Sequence, residues 1–484
     1  MRLNRLDVPE PVLVAVLAVA AFTIRAWDLE AQSLWFDETY SVFLARLPVA
    51  DAWAALLADG VHPPLYYALL RGVIGLGQSE AAVRTLSVLA GTLSVVLVYA
   101  IGRAWIGRTA AALAGLLLCV SPLQVWYSRD ARMYALLMLL SLAAIGTYAL
   151  LLRRPTSARS TLFVLAHGLA YLTHYFALMV PLVEAIDILA RFSRRYHFLR
   201  RWTALQALAA LPFLGWVVAL AGRDAQIFGI GWVPPSAPAD LLLTLANFTV
   251  GALPPMSVYR WIAFAAFLLL ALQGLRARWE DPEAKLLVAV WAFGPPVLTF
   301  LLSLRRPVYI DRFLIGSLPA VLLLVAAGLA SLRRGWRLLF AFVMAAILVD
   351  SMVRMVFVPG QQKEQWREAA SELARADPDE VIVVRVLQIA VPLRYYDPGG
   401  LPLEALEVNR RVTSLQDLAS GHTGVWMVYW NAAADAHRVA SSPPFDPDSE
   451  REPTARAWLL GQGPRLLEQH DFVGVTILRF EGPG

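Results

Sequence analysis

Cysteine is all but absent: Cys119 stands alone among 484 residues. No intrachain disulfide can form, and no thiolate cluster can hold a metal. Cys119 lies in an apolar run and reads as a buried, inert thiol. Lysine is nearly as scarce, with Lys285 and Lys363 the only two among 42 basic residues; the bias by itself points to no function. Charge of either sign is sparse. Charged residues make up 16% and hydrophobic ones 58%, against about 25% and 45–50% in soluble proteins. These shortages exclude a disordered chain, a soluble nucleic-acid binder and a disulfide scaffold. There is no tandem repeat and no low-complexity stretch.

What the sequence has instead is apolar blocks, at roughly 11–27, 81–102, 109–125, 133–152, 161–173, 175–190, 202–221, 259–275, 285–304, 312–331 and 336–357. Blocks of about 20 apolar residues span a bilayer. The short pair around Thr173-His174 can be one long helix broken at its middle. The pattern predicts an all-α polytopic membrane protein of about eleven transmembrane helices. The first block lacks a clear cleavage site and reads as a retained span rather than a signal peptide.

Loop charge sets the orientation. With the N-terminus in the cytoplasm, the inner loops hold the arginine groups around Arg103, Arg153, Arg194, Arg276 and Arg333, and the outer loops hold fewer. The net charge of +5 then reflects cytoplasmic anchoring rather than a nucleic-acid partner. From about Gln361 the composition becomes more charged. Lys363–Ala374 reads as a helix, and Val381–Val386, Gly424–Trp430 and Val473–Phe480 read as strands. The expected organisation is a transmembrane domain over 1–358, with a long external loop over 28–80, and a small extracytoplasmic α/β domain over 359–484. The expected location is the plasma membrane.

Four segments on the external side carry candidate chemistry. The first is Ser33-Leu-Trp-Phe-Asp37-Glu38-Thr-Tyr40. Acidic groups near a membrane surface, beside Trp35 and Phe36, cost more to ionise unless paired, so either is a candidate base or metal ligand. The competing reading makes Asp37 the N-cap of an amphipathic interfacial stretch, Thr39–Leu57. The second is His62-Pro63-Pro64-Leu65-Tyr66-Tyr67. Here the prolines start a helix and hold His62 at its N-terminus, a place suited to a phosphate; a solvent-facing histidine is the alternative. The third is Trp126-Tyr127-Ser128-Arg129-Asp130-Ala131-Arg132-Met133-Tyr134. Its charges need mutual pairing or a polar cavity at membrane depth. The fourth is Arg305-Arg306-Pro307-Val308-Tyr309-Ile310-Asp311-Arg312, three arginines on the side that should be poor in them. They suit either lipid headgroups or a phosphate gripped by the guanidinium fork. His167 and His174 read as polar packing, without metal-ligand spacing. A carboxylate base, a second acid and basic groups for a phosphate, beside a hydrophobic region, suit group transfer from a lipid-linked phosphate donor.

The order of these motifs resembles the GT-C membrane glycosyltransferases of family 39, which include the protein O-mannosyltransferases and the bacterial aminoarabinose transferase; the likeness is closer to bacterial members related to lipopolysaccharide-core sugar transferases. It is strongest over residues 30–215 and looser to about 375. The resemblance implies a polyprenyl-phosphate-sugar donor, a lipid, glycan or protein acceptor, inverting transfer on the external face and, in some members, a divalent metal; no organic cofactor is expected. Carried over, Asp37 is the base for the acceptor hydroxyl, Glu38 orients it or joins Asp37 on a metal, and Asp130 is the second acid. His62, Arg129, Arg132, Arg305, Arg306, Tyr309 and Arg312 are expected around the donor phosphate. Val61 stands where the aminoarabinose transferase has an acidic residue, which puts a metal site built there in doubt. Two other readings remain: a transporter or lipid flippase using the same basic cavity, which predicts repeats and mid-span acids that the sequence does not offer, and a structural subunit with a binding ectodomain.

Overall fold

The computed structural model describes residues 9–221, 233–251, 257–358, 362–397, 400–408, 411–431 and 453–483. Every apolar block of the sequence folds as helix. The first stretch holds α1 (Glu10–Ala26), α2 (Phe36–Arg46), α3 (Val49–Asp59), α4 (Leu65–Ile74) and α5 (Glu80–Trp105). Then come α6 (Gly107–Cys119), α7 (Pro122–Ser128), α8 (Tyr134–Arg153), α9 (Ser157–Tyr171), a 3-10 turn at Tyr175–Leu178, α10 (Met179–Ala190) and α11 (Phe192–Leu220). The remainder are α12 (Pro238–Val250), α13 (Val258–Arg276), α14 (Ala284–Ser303), a 3-10 segment at Asp311–Ser317, α15 (Leu318–Ser331) and α16 (Arg334–Phe357). Among the described residues seven helices are long and apolar enough to cross a membrane, or eight if the bent pair α6–α7 counts as one span. That pair turns by 58° where Pro122 opens the second helix.

The interfacial stretch expected over Thr39–Leu57 is two helices, because Pro48 ends the first and starts the second. Asp37 is not an N-cap; it lies in the first turn of α2 with Glu38. The α13–α15 crossing is closer than side chains allow. A Cβ on Gly274 would sit 2.0 Å from the Leu324 carbonyl oxygen, and one on Gly328 2.0 Å from that of Leu270. Small residues let helix backbones meet at such distances in a membrane, where packing rather than water drives association.

The chain divides into two compact units. One comprises Met1–Leu29, Leu44–Ala252 and Met256–Val353; the other comprises Glu30–Phe43, Leu253–Pro255 and Arg354–Gly484. The Asp37–Glu38 segment therefore belongs with the C-terminal unit and not with the helices that precede and follow it in sequence.

In that second unit, α17 (Trp366–Leu373), β1 (Val381–Val386), α18 (Ala390–Tyr396), β2 (Leu403–Val408), β3 (Arg411–Val412), α19 (Leu415–Ala419), β4 (Gly424–Trp430), α20 (Pro453–Leu459), β5 (Leu466–Phe472) and β6 (Val475–Glu481) follow in order. They form one six-stranded sheet, ordered β3-β2-β1-β4-β6-β5. Strand β1 is parallel to both neighbours, and β6 is antiparallel to both β4 and β5. Ile382, Val384, Trp426 and Val428 face one core with Trp366 and Leu373. Val381, Val383, Val425 and Met427 face another with Leu415 and Trp458. Burial on both faces explains why β1 and β4 read as continuous apolar runs rather than alternating ones.

Candidate active site

In the C-terminal unit, the Asp37–Glu38 segment is tied down residue by residue. Ser33 Oγ donates to the Glu364 carbonyl (2.6 Å), and the Leu34 N–H donates to the Tyr396 hydroxyl (2.6 Å). The Phe36 N–H donates to Glu364 Oε2 (2.9 Å), and the Phe36 ring stacks on Trp430 with centroids 4.5 Å apart. Glu364 also accepts from the indoles of Trp366 (2.5 Å) and Trp430 (2.8 Å). Burial pushes its carboxyl above the ordinary range; those three donors pull it back, and the charge of Asp37 pushes it up again. At Gly474 φ is +75°, and a Cβ there would meet Glu364 Cγ at 2.7 Å. The turn that carries this glycine closes against the same carboxylate.

Glu38 is fully buried, and its Oε2 accepts from the Lys363 ammonium (3.0 Å) and the Trp35 N–H (3.3 Å). Asp37 is partly exposed. This donor set does not fit a divalent cation. A hard dication wants about six oxygen ligands, whereas one of the two carboxylates here already faces a buried ammonium. A second group, Glu372, Glu468 and His470, converges on the sheet side of the same unit. Its carboxylates are also engaged: Glu372 pairs with Arg375, and Glu468 with Arg479 at 2.9 Å.

In the membrane unit, a buried polar cluster forms around the 3-10 segment that carries Arg312. Its guanidinium lies over the Tyr134 ring, 5.8 Å from the centroid. His174 stands 5.0 Å from Phe313 and 6.0 Å from Tyr134, and His62 lies 5.5 Å from His174, measured between rings. His62, Arg132, His174 and Arg312 are all nearly inaccessible. Burial, with Arg132, His174 and Arg312 around it, drives the His62 imidazole well below its ordinary 6.5. It is therefore neutral at neutral pH and offers a polar nitrogen, not a charge. The prolines act as their positions foretell, since α4 starts at Leu65 directly after Pro63-Pro64. Asp130 is fully buried, and Tyr127 senses the charges of Arg312, Asp311 and Asp130 together. Asp311 accepts from Asn247 Nδ2 (2.6 Å) and from the Arg312 N–H (2.7 Å), which fixes the start of the 3-10 segment.

Not all the expected phosphate ligands gather here. Arg129 instead donates to the Asp28 carbonyl (2.9 Å) and to that of Trp27, and so satisfies the open carbonyls at the end of α1. Arg305 and Arg306 are exposed. Tyr309 is buried but spends its hydroxyl on Thr244 Oγ1 (2.9 Å). His174 joins the cluster although its sequence context suggested packing alone. The signal was the break between two short apolar blocks: α9 ends at Tyr171, and His174 Nδ1 accepts the Phe176 N–H (3.1 Å) to start the next turn. His167 does read correctly as packing, its Nε2 lying 2.9 Å from buried Glu184.

ArnT from Cupriavidus metallidurans, solved with undecaprenyl phosphate bound, aligns over 97% of this chain and 97% of its own, with a TM-score of 0.64 at 14% identity. Its apo form gives 0.65 at the same identity and coverage. The apo oligosaccharyltransferase of Archaeoglobus fulgidus aligns over 87% of this chain and 69% of its own, at a TM-score of 0.54 and 12% identity. No curated protein matches by sequence. The family model described as dolichyl-phosphate-mannose-protein mannosyltransferase matches residues 61–218, which include the His62 and Arg132 segments. The resemblance to the GT-C membrane glycosyltransferases of family 39 is thereby borne out, in the fold over nearly the whole chain and in the family model over residues 61–218.

Proposed function

We propose that the chain transfers a sugar, a hexose or a pentose, from a polyprenyl-phosphate donor to an acceptor hydroxyl on the extracytoplasmic side of the plasma membrane, with inversion at the anomeric carbon. The observation that carries the reading is the pair of buried guanidiniums, Arg132 and Arg312, gathered with two histidines inside an apolar helical bundle. The guanidinium fork suits the oxygens of a phosphate, and an apolar bundle suits the lipid that would carry it. The bound undecaprenyl phosphate of the ArnT structure supports a donor of that chemistry. An N-terminus in the cytoplasm and a C-terminal unit outside follow from the loop charges and belong to the same reading.

In the mechanism, the acceptor oxygen attacks the anomeric carbon while the Asp37 carboxylate takes its proton. Asp37 suits that role because it is partly exposed beside a buried, ion-paired neighbour. A departing phosphate gathers negative charge, which buried guanidiniums of the kind that Arg132 and Arg312 offer in the membrane unit stabilise. His62 and His174 hold it as neutral hydrogen-bonding partners. Such a leaving group needs no dedicated acid. A single displacement inverts the configuration.

The test is release of label from polyprenyl phosphate carrying a radiolabelled sugar, with purified protein in lipid. Asp37→Asn should abolish release while leaving expression and thermal stability unchanged. Turnover close to normal in that variant removes Asp37 from the mechanism, and no release from any donor would defeat the transfer reading. Mass spectrometry of cell-envelope glycans in a deletion strain then identifies sugar and acceptor.

A further inference from the structure

We propose that Lys363 is a positioning residue for this reaction, its ammonium fixing the Asp37–Glu38 pair and bringing to it the positive charge that a divalent cation would otherwise have to supply. The inference rests on the transfer reading above and goes beyond it. Lys363 Nζ lies 3.0 Å from Glu38 Oε2, with the two side chains 4% and 0% exposed. A carboxylate buried to that degree stays ionised only with a partner.

The contact is built by register as well as by charge. The Lys363 N–H donates to Gln32 Oε1 (3.3 Å), and the next residue, Glu364, accepts the Phe36 N–H (2.9 Å). The two strands of chain are thus matched on both sides of the ion pair, which sets Glu38 and, one residue before it, Asp37. The choice of lysine fits the geometry. Glu38 Oε2 already accepts the Trp35 N–H, and a compact ammonium shares that oxygen where a planar five-donor fork would need further acceptors. Elsewhere the chain uses arginine almost without exception. Its other lysine, Lys285, donates to the Ala277 carbonyl (2.9 Å) near the end of α13 and has no part in this site.

The experiment uses the full chain reconstituted in lipid, with polyprenyl phosphate carrying a radiolabelled sugar, for wild type, Lys363→Arg and Lys363→Met, each with and without EDTA. Mn2+ binding is followed in parallel by electron paramagnetic resonance. Wild-type turnover should change less than about twofold on chelation. Lys363→Met should lose kcat by about a hundredfold or more, as expected when a buried pair loses one partner, with donor KM little changed. Lys363→Arg, which keeps the charge, should recover at least a tenth of wild-type kcat. Abolition of wild-type transfer by EDTA with recovery on adding Mg2+ or Mn2+ would overturn the proposal. So would a fully active Lys363→Met, a loss confined to KM, or a Lys363→Arg no better than Lys363→Met. The Mn2+ arm needs no lysine variant. A wild-type Mn2+ signal that Glu38→Gln removes places a metal where the ammonium is assigned and refutes it, whereas a spectrum indifferent to Glu38→Gln supports it. Failure of the wild type to release label from any donor counts against the transfer reading instead, and the Mn2+ spectrum still decides which cation serves Glu38.

Discussion

Replacing Glu364 with glutamine removes one charge and turns one of two acceptor oxygens into a donor. The carboxylate now takes three hydrogen bonds, from the Phe36 N–H and the Trp366 indole on Oε2 and from the Trp430 indole on Oε1. Hydrogen bonds to a charged group contribute about 1.5–3 kcal/mol each, and neutral ones about 1 kcal/mol. A glutamine oxygen kept toward Phe36 and Trp366 turns its NH2 against the Trp430 indole and leaves two donors facing each other. Two bonds weakened and one lost total about 2.5–7 kcal/mol by those figures. Only the weakened Phe36 bond, about 0.5–2 kcal/mol of that total, falls on the docking of residues 30–43; the other two tie Glu364 to Trp366 and to Trp430 of the sheet. Opening of the Asp37–Glu38 segment should therefore become about two- to thirtyfold more frequent, the equivalent of 0.5–2 kcal/mol, and its amides should exchange with deuterium that much faster. The β1 amides should be unaffected. Trp430 emission should report the undocking, because Phe36 stacks on that indole. Label release should fall with the docked fraction. Unchanged exchange over residues 33–40 in Glu364→Gln would refute the claim that this carboxylate holds the segment.

Arg312→Lys keeps the charge of the membrane-unit cluster but loses the fork. With one charge-assisted hydrogen bond to a phosphate forfeited, donor kcat/KM should fall by about ten- to 150-fold; a variant with wild-type kcat/KM would take Arg312 off the phosphate. The C-terminal unit should be acid-labile through Glu380, which is buried and bonded to Trp426 (2.8 Å), the Asp377 N–H (2.9 Å) and Arg479 (2.8 Å). Burial raises its carboxyl, but these donors and the guanidinium outweigh it, and the result lies below the ordinary 4.5. A depressed carboxyl adds stability that is complete above the unfolded value, about 4.5, and is lost as pH falls through the lower folded value. Thermal melts of the full chain should drop over that acid range, and Arg479→Met should flatten the drop; parallel curves would refute the assignment.

The helical part of the fold was legible because its signal is length. Eleven apolar blocks cannot do much else in a bilayer, and each is helical, with Pro48 and Pro122 adding breaks that block-counting passes over. The sheet was legible only where strands are buried on both faces. Strand β2 reads Leu-Glu-Ala-Leu-Glu-Val, a run of good helix formers that extends because β1 and β3 bond to it on either side. Strand β5 is a polar edge without clean alternation. At the site, residue type was visible and burial was not. Arg129 and Arg132 lie three residues apart in one motif, yet one caps α1 and the other is buried beside His62. Lys363 carried no pattern at all: its meaning lies in a contact with Glu38, 325 positions away.

The positive charges in the two clusters are of one kind. In the membrane unit the histidines look like the phosphate's counter-charge, but burial and the neighbouring guanidiniums keep His62 neutral, so the charge there rests on Arg132 and Arg312. In the C-terminal unit the charge beside Glu38 rests on Lys363. Guanidiniums do not titrate in proteins, and an ammonium salt-bridged to a buried carboxylate is held in its charged form. Both clusters therefore take fixed cations in place of groups that switch between pH 5 and 8. Under the proposed transfer, such cations keep a leaving phosphate stabilised and the Glu38 carboxylate paired across that range.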